Sequence, residues 1–453
     1  MSKNNSIDVL NLEWSSSNSR DRIAASLVCN YLRIKGLKVK EGYVFNGYRL
    51  IDKYKPKLML ITNSVGADIN LKLVQYCISK KIPCISLVAE GNFMEGDKNT
   101  RISTWGVNRK ELLFENFTIH WSRRTRDASL KLFPELQGRI KVSGSVNTDL
   151  YKIKTAINKN SFIKKHKKNG YKHVIGVGCW DFGILDENDH RYKLSLDQYG
   201  ADAVNCLKLE KEKFKTILKK IIAQNPEVLF LLKKHPGSMK GDDTSGILGL
   251  GEVQNTLIIK NEESIFNVIS VSDFWITFES TTALEAWLLG KQTCLLNPTK
   301  FEWKRDKIFK GSPIYRSVDE LQKSIDAFYL KNELPGFKQK QKTRQDLIKY
   351  FSEFDDGLNH VRVGNFVISQ ISKSQVFENL KLRALFLHIL KFKQIFLWHF
   401  GKYFLFIPYI KKIEKRKKHF NDEEIMLYSK QLLVDQKAFY KGLNLDSYQV
   451  VDE

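Results

Sequence analysis

Residues 228–237 read VLFLLKKHPG: five apolar residues run straight into Lys233, Lys234, His235, Pro236 and Gly237. An apolar run of this length, bounded by a turn signal, suits a buried parallel strand. Pro236 ends it, because proline has no N–H for a sheet ladder. The basic cluster then falls at the strand's carboxyl end, the edge where open α/β sheets bind ligands. Two lysines and a histidine there can hold a phosphate. The same residues also suit a plain strand end with solvated lysines.

The pattern continues on both sides. Residues 173–177, 256–259, 273–277 and 293–296 read as further strands, and 210–224, 263–270, 282–289, 319–329 and 345–351 as helices. An earlier half repeats the rhythm, with strands at 7–12, 39–45, 57–62, 82–88, 117–121 and 140–143 and helices at 23–34, 71–79 and 125–133. Strands alternating with helices predict βαβ units and parallel sheets. The expected fold class is α/β, with two Rossmann-like domains, 1–151 and 173–370, facing a cleft. Between them, residues 152–172 hold eight lysines and no acid and read as a basic linker, with a nucleic-acid-binding tail as the alternative.

At 453 residues the chain is too long for one ordinary core. Its 74 basic and 50 acidic side chains leave +24, which points to an anionic partner: nucleic acid, anionic lipid or a phosphorylated substrate. The six cysteines form no CxxC pair and read as reduced thiols, with no zinc cluster. The first residues, MSKNNSIDVLNLEW, lack a secretory pattern, and no run reaches the roughly 18 apolar residues of a spanning helix. The expected location is the cytoplasm.

Residues 371–453 read as a basic amphipathic helical tail. Within 381–420 there are eleven Lys or Arg and one acid, interleaved with Phe386, Phe392, Phe396, Trp398, Phe400, Tyr403, Phe404, Phe406 and Tyr409. A basic segment with Trp and Phe lies in a membrane interface. The tail is therefore expected to attach the protein to the inner face of the plasma membrane. It would be separable from the core by a cut after about Ser374. A helical subdomain with a basic outer face is the other reading.

A second constellation, FESTTALEAWLLG at 278–290, follows the strand at 273–277. Glu279, Ser280, Thr281 and Thr282 fall at the turn, where a hydroxyl caps the next helix and free N–H groups face the ligand edge. Glu285, one helical turn on, is placed to accept from ribose hydroxyls. Ser280–Thr282 as mere caps and Glu285 as a solvated helix residue fit the spacing equally well. Gly176 and Gly178, on the strand after His173, let backbone approach a phosphate or simply make a tight turn.

KKHPG resembles the His-Pro motif, and FESTTALEA the Ser/Thr motif, of GT-B capsule and surface-polysaccharide transferases. That group includes Kdo transferases, bacterial sialyl- and polysialyltransferases and, more distantly, CDP-glycerol polyol-phosphate transferases. Lys291, after Leu289 and Gly290, is similar to the group's usual ending. WSRRTRDA at 121–128 and VSGSVNTDLY at 142–151 are similar to the segment closing the group's N-terminal domain, and FDDGLNHVRV at 354–363 is similar to its late Asp-Gly segment. The resemblance covers roughly residues 55–370. It implies that His235 contacts the donor phosphate with Lys233 or Lys234 nearby, that Ser280 and Thr281 bind the same phosphate, and that Glu285 binds the ribose. A transferase of this kind needs a base for the acceptor hydroxyl. Glu90, at the end of the strand 82–88, forms a Glu-Gly pair similar to the acidic-Gly motif of sialyltransferases, with Glu95 and Asp97 as competitors.

The chain departs from the CDP-glycerol transferases, which typically carry histidines at the N-terminal site: it has none between Met1 and Ile119. No DxD motif ends a strand, so no metal is expected and no cofactor beyond a nucleotide-sugar co-substrate; lysines and helix ends can neutralise the leaving phosphate. The expected activity is transfer of a sugar from a CMP- or CDP-type donor, or a UDP donor, to a surface polysaccharide or lipid-linked glycan. The alternatives are a polyol-phosphate transferase, a nucleotide-sugar epimerase of the same fold, or a nucleic-acid-binding protein. Against the last, the charge concentrates in linker and tail and no binding motif is visible.

Overall fold

The computed structural model describes residues 6–14, 19–89, 91, 93–180, 182–188, 192–235, 249–260, 262–278, 280–299, 307–373, 384–417 and 420–452. The chain divides into two compact units, Met1–Lys154 with Lys349–Glu453, and Thr155–Ile348.

The first unit is built on six parallel strands: β1 (Val9–Glu13), β2 (Val39–Tyr43), β3 (Leu58–Thr62), β4 (Cys84–Leu87), β5 (Phe117–His120) and β6 (Ile140–Val142). They lie in the order β2-β1-β3-β4-β5-β6. β1, β3 and β4 are buried along their whole length, as strands covered on both faces must be. Helix Arg20–Ile34 follows β1; its N-cap Ser19 accepts from the Arg22 N–H.

The second unit carries β7 (His173–Gly178), β8 (Val228–Lys233), β9 (Thr256–Ile259), β10 (Phe274–Thr277), β11 (Gln292–Leu296) and β12 (Ile314–Tyr315), in the order β12-β11-β10-β7-β8-β9 and again parallel. One sheet face packs Phe230, Leu232, Phe274 and Ile276 against helices Ala201–Gln224 and Val318–Lys331. The other packs Leu229, Leu231 and Trp275 against helices Lys159–Lys165 and Ile265–Val271. Each unit is a Rossmann-like α/β domain.

The structure differs from the sequence expectation at both domain boundaries. Residues 152–172 are not a bare linker. Asn158 caps helix Lys159–Lys165, and Phe162 and Ile163 of that helix are in the second core. Lys159 pairs with Asp273 at 2.5 Å and Lys165 with Glu263, and His166 Nε2 lies 3.1 Å from the same Glu263 carboxylate. The second unit ends at Ile348, before the expected boundary at 370. Helix Asn359–Ile371 belongs to the first unit, where Gly364 lies flush against the Tyr31 ring and the Tyr31 hydroxyl donates to Asn365 Oδ1 at 2.5 Å.

Nor is 371–453 a detachable tail. Helix Asp422–Phe439 packs on helix Arg20–Ile34, with Asn30 donating to Gln436 Oε1 (3.0 Å) and Gln436 donating to the Leu27 carbonyl (3.0 Å). Val451 pairs antiparallel with Val142 beside β6. The inner face of helix Ala384–Phe400 places Leu390, Leu397 and Trp398 against the first core, and Phe420 stacks on Tyr43 at 4.6 Å. Lys417 donates to the Leu397 and Trp398 carbonyls at 2.9 Å and so caps that helix.

Candidate functional site

In the second sheet the chain starts at β7, builds outward through β8 and β9, then returns to the other side of β7 with β10. The switch point between β7 and β10 is where open α/β sheets of this order leave a crevice beyond the strand ends. Gly178 closes β7 and pairs with Lys233 on one side and Thr277 on the other. The ends carrying KKH and STT therefore flank one strand terminus.

The glycines of β7 have a packing reason. Trp275 of β10 is fully buried, and its indole lies over both positions. A Cβ on Gly176 would collide with the indole and Ser272 Oγ; one on Gly178 would collide with Thr282 Oγ1 and the indole nitrogen. Trp275 Nε1 donates to Thr282 Oγ1 at 3.0 Å, and that oxygen lies 3.0 Å from Ser280 Oγ. Ser280 Oγ also accepts from the Thr282 N–H at 3.3 Å. Two hydroxyls share one mutual bond, so one hydroxyl proton of the pair remains for an acceptor beyond the strand ends. Thr281 is half-buried at the start of helix Thr282–Leu288, with half-buried Glu285 one turn further on.

The two lysines separate. Lys233 Nζ donates to the Lys260 carbonyl just past β9, and burial pushes its pKa down against the pull of Glu262 and Glu263. Its ammonium clasps two strand ends. Lys234, whose N–H bonds the Ile259 carbonyl at 2.9 Å, and half-buried His235 then continue toward the ligand edge. Pro236, Glu279 and Glu90 lie outside the described residues.

In the first sheet the switch point falls between β1 and β3. It holds Glu13, which the sequence reading passed over. Its Oε1 accepts from Asn11 Nδ2 at 3.0 Å and its Oε2 from Thr62 Oγ1 at 2.5 Å. The side chain is fully buried. Burial and the nearby Asp21 push its pKa up to about 8, against the opposing pull of Arg22, Thr62 and Asn11. The only trace in the sequence is an acid closing an apolar strand. Next to it, Trp14, Phe45, Tyr48, Ile69, Leu397 and Trp398 wall a cavity of about 350 Å³, with Lys72 and Lys393 also lining it. Trp14 and Phe45 lie just beyond β1 and β2, and Ile69 lies in the first turn of helix Asp68–Ser79, which follows β3, so the cavity lies at the carboxyl edge of the sheet.

The loop after β4 is held from three sides. The Ala89 N–H donates to Asn63 Oδ1 (3.0 Å), Trp121 Nε1 donates to the Val88 carbonyl (2.6 Å), and Asn147 donates to the Ala89 carbonyl. Of the competitors to Glu90, Glu95 accepts from the Tyr350 hydroxyl at 2.6 Å, and Asp97 opens helix Asp97–Trp105. His120 ends β5; burial holds its pKa down to about 4, so the imidazole is neutral. Among the described residues no group of three or more His, Cys, Asp or Glu side chains is placed to hold a metal ion.

A pH dependence follows from Glu13. A carboxyl group whose pKa is higher folded than unfolded binds its proton more tightly in the native state. Its stabilising contribution is present at low pH and is lost as pH rises through the folded value. Chemical denaturation of the full chain is expected to show first-unit stability falling between about pH 5 and pH 8. Glu13→Gln removes the charge, its amide oxygen still accepting from Asn11 and its amide nitrogen donating to a reoriented Thr62 hydroxyl, and is expected to flatten that fall and gain on the order of a few kcal/mol at the alkaline end. Parallel curves for the two proteins would refute the assignment.

No family model matches the sequence. No curated protein matches it either. Solved structures do. A proposed UDP-N-acetylglucosamine 2-epimerase from Listeria monocytogenes is similar with a TM-score of 0.52 at 12% identity, covering 83% of this chain and 100% of that one. A second UDP-N-acetylglucosamine 2-epimerase gives 0.52 at 11%, covering 81% and 97%. The Staphylococcus aureus MnaA–UDP structure gives 0.51 at 11%, also over 81% and 97%. At these identities the likeness is one of fold. With two six-stranded parallel sheets of Rossmann-like build, the chain has the GT-B fold.

Proposed function

We propose that this chain is a metal-independent glycosyltransferase of the capsule and surface-polysaccharide kind. It moves a sugar from a nucleotide-activated donor, of CMP or CDP type first and UDP second, to a surface polysaccharide or lipid-linked glycan. The observation that carries the reading is the pairing of Gly178 with both Lys233 and Thr277, which brings both basic and hydroxyl clusters to one switch point. There His235 and Lys234 neutralise the donor phosphate, the Ser280–Thr282 pair and Thr281 donate to it, and Glu285 accepts from the ribose. Glu90 takes the proton of the acceptor hydroxyl. The cavity beside Trp14 supports an acceptor with an apolar part. Peripheral attachment to the inner face of the plasma membrane belongs to the same reading.

The fold neighbours named as UDP-N-acetylglucosamine 2-epimerases favour one second reading, epimerisation of a nucleotide sugar. A thermal-shift panel of CMP, CDP, UDP and GDP tests the first. A nucleotide that binds only the folded state adds about 2.7 kcal/mol of stability at a hundred times its Kd. CMP or CDP is expected to raise the melting temperature by several degrees. Silence from all four would overturn the donor site. A response to UDP alone, with epimer formed from its sugar conjugate and no transfer, would establish the second reading.

A further inference from the structure

Helix Ala384–Phe400 has two unlike faces. Leu390, Leu397 and Trp398 turn into the first unit's core. Ile389, Phe392, Phe396 and Phe400, at helical spacing, turn out and are 47–70% exposed. The chain beyond continues the apolar surface with Tyr403, Leu405 and Phe406, the last 78% exposed. The rings associate with one another, Phe396 lying 5.4 Å from Phe400 and 5.6 Å from Phe404. Lys393, Lys402 and Lys411 are exposed in the same segment. A contiguous apolar surface of this kind marks a contact site.

We propose that this face docks the first unit on an anionic membrane surface, the phenylalanine rings entering the headgroup–acyl boundary and the lysines meeting lipid phosphates. Charge complementarity selects this partner. Residues 381–420 carry eleven cations and one acid; Lys391 and Lys417 are engaged by Asp52 and Glu414, while Lys402 and Lys411 are exposed beside the rings, so a second copy of the same face would meet like charge. Rings beside amines match a layer that is apolar below and anionic above. Among the described residues no helix is long and apolar enough to cross a membrane, so the contact is made from the surface. Because the opposite face of the helix is in the core, the helix cannot swing free, and docking orients the first unit's sheet. The proposal is independent of the donor reading, since binding to vesicles involves no turnover.

Flotation of the full-length protein with vesicles of phosphatidylcholine alone, and of an equal mixture with phosphatidylglycerol, tests it. The wild type is expected to float with the anionic vesicles only, and less so as salt rises. Phe392→Ser/Phe400→Ser/Phe406→Ser is expected to lower partitioning about a hundredfold or more with the circular dichroism and melting unchanged. Lys402→Gln/Lys411→Gln, whose side chains are exposed, is expected to lower it about fivefold per lysine. Wild-type flotation of a folded triple variant, or flotation indifferent to lipid charge, would overturn the proposal. So would a wild type that stays with the pellet, or a wild-type dimer that the triple variant dissociates, which would make the face an interface between copies.

Discussion

A chain ended after Ser374 is expected to lose the fold of its first unit rather than merely lose a tail. The C-terminal segment supplies partners that nothing else replaces. Asn30 and Asn365 would lose the groups they bond in residues 429–448. His360 is fully buried; its Nδ1 lies 2.7 Å from Asp149 Oδ2 and its Nε2 2.5 Å from the Tyr440 hydroxyl, and the second contact would go. Each buried polar group left unpaired costs about 1–3 kcal/mol. Ile410, Ile425 and Leu432 are buried as well, and each such side chain contributes about 1.5–3 kcal/mol. Together these losses match the whole net stability of a domain, about 5–15 kcal/mol. Calorimetry of the full chain and the truncated one decides. The truncated protein should lack the first unit's transition and keep that of residues 155–348. A soluble truncated protein with unchanged transitions would refute the packing described here.

Most of the strands were legible as short apolar runs ending in a turn signal, and LMLIT and VLFLL need no partner to be recognised as buried. Only β12 escaped, since Ile-Tyr is too short to carry a pattern. What the sequence concealed is pairing at long range. The lysines around Phe162 read as part of a linker, yet their counter-ions, Asp273 and Glu263, lie about a hundred residues away. Helix Asp422–Phe439 meets helix Arg20–Ile34 partly through amides and hydroxyls, Asn30 with Ser429 and Gln436, so its contact face has a weak apolar period. The donor-site candidates were legible as two motifs; that they flank one strand end is a property of strand order. Glu13 left no more than the trace of an acid closing a strand, because its significance is its burial at the other switch point. Gly176 and Gly178 stood out as places where backbone approaches a phosphate or makes a tight turn; the group that fills the space above them is Trp275.

A large effect on chemistry is expected from His235→Ala. The residue stands two positions beyond the end of β8, next to the terminus of β7, and is half-buried. A nucleotide phosphate leaving the sugar gathers negative charge in the transition state, and a preorganised donor aimed at that charge acts where water is excluded. Loss of one such donor costs about 10²–10³ in turnover. The β8 ladder ends at Lys233, so removing the imidazole should leave the fold intact while abolishing the shift that CMP or CDP produces. Glu90→Gln gives the contrasting signature. It removes only the proton acceptor, a contribution of about 10²–10⁴, and should keep the nucleotide shift while losing transfer. Donor binding and acceptor activation are thus read separately, by melting and by product. Wild-type turnover in a folded His235→Ala protein would sink the donor-site assignment. Retained activity in Glu90→Gln would hand the base role to Asp97 before Glu95, whose carboxylate is already engaged by Tyr350.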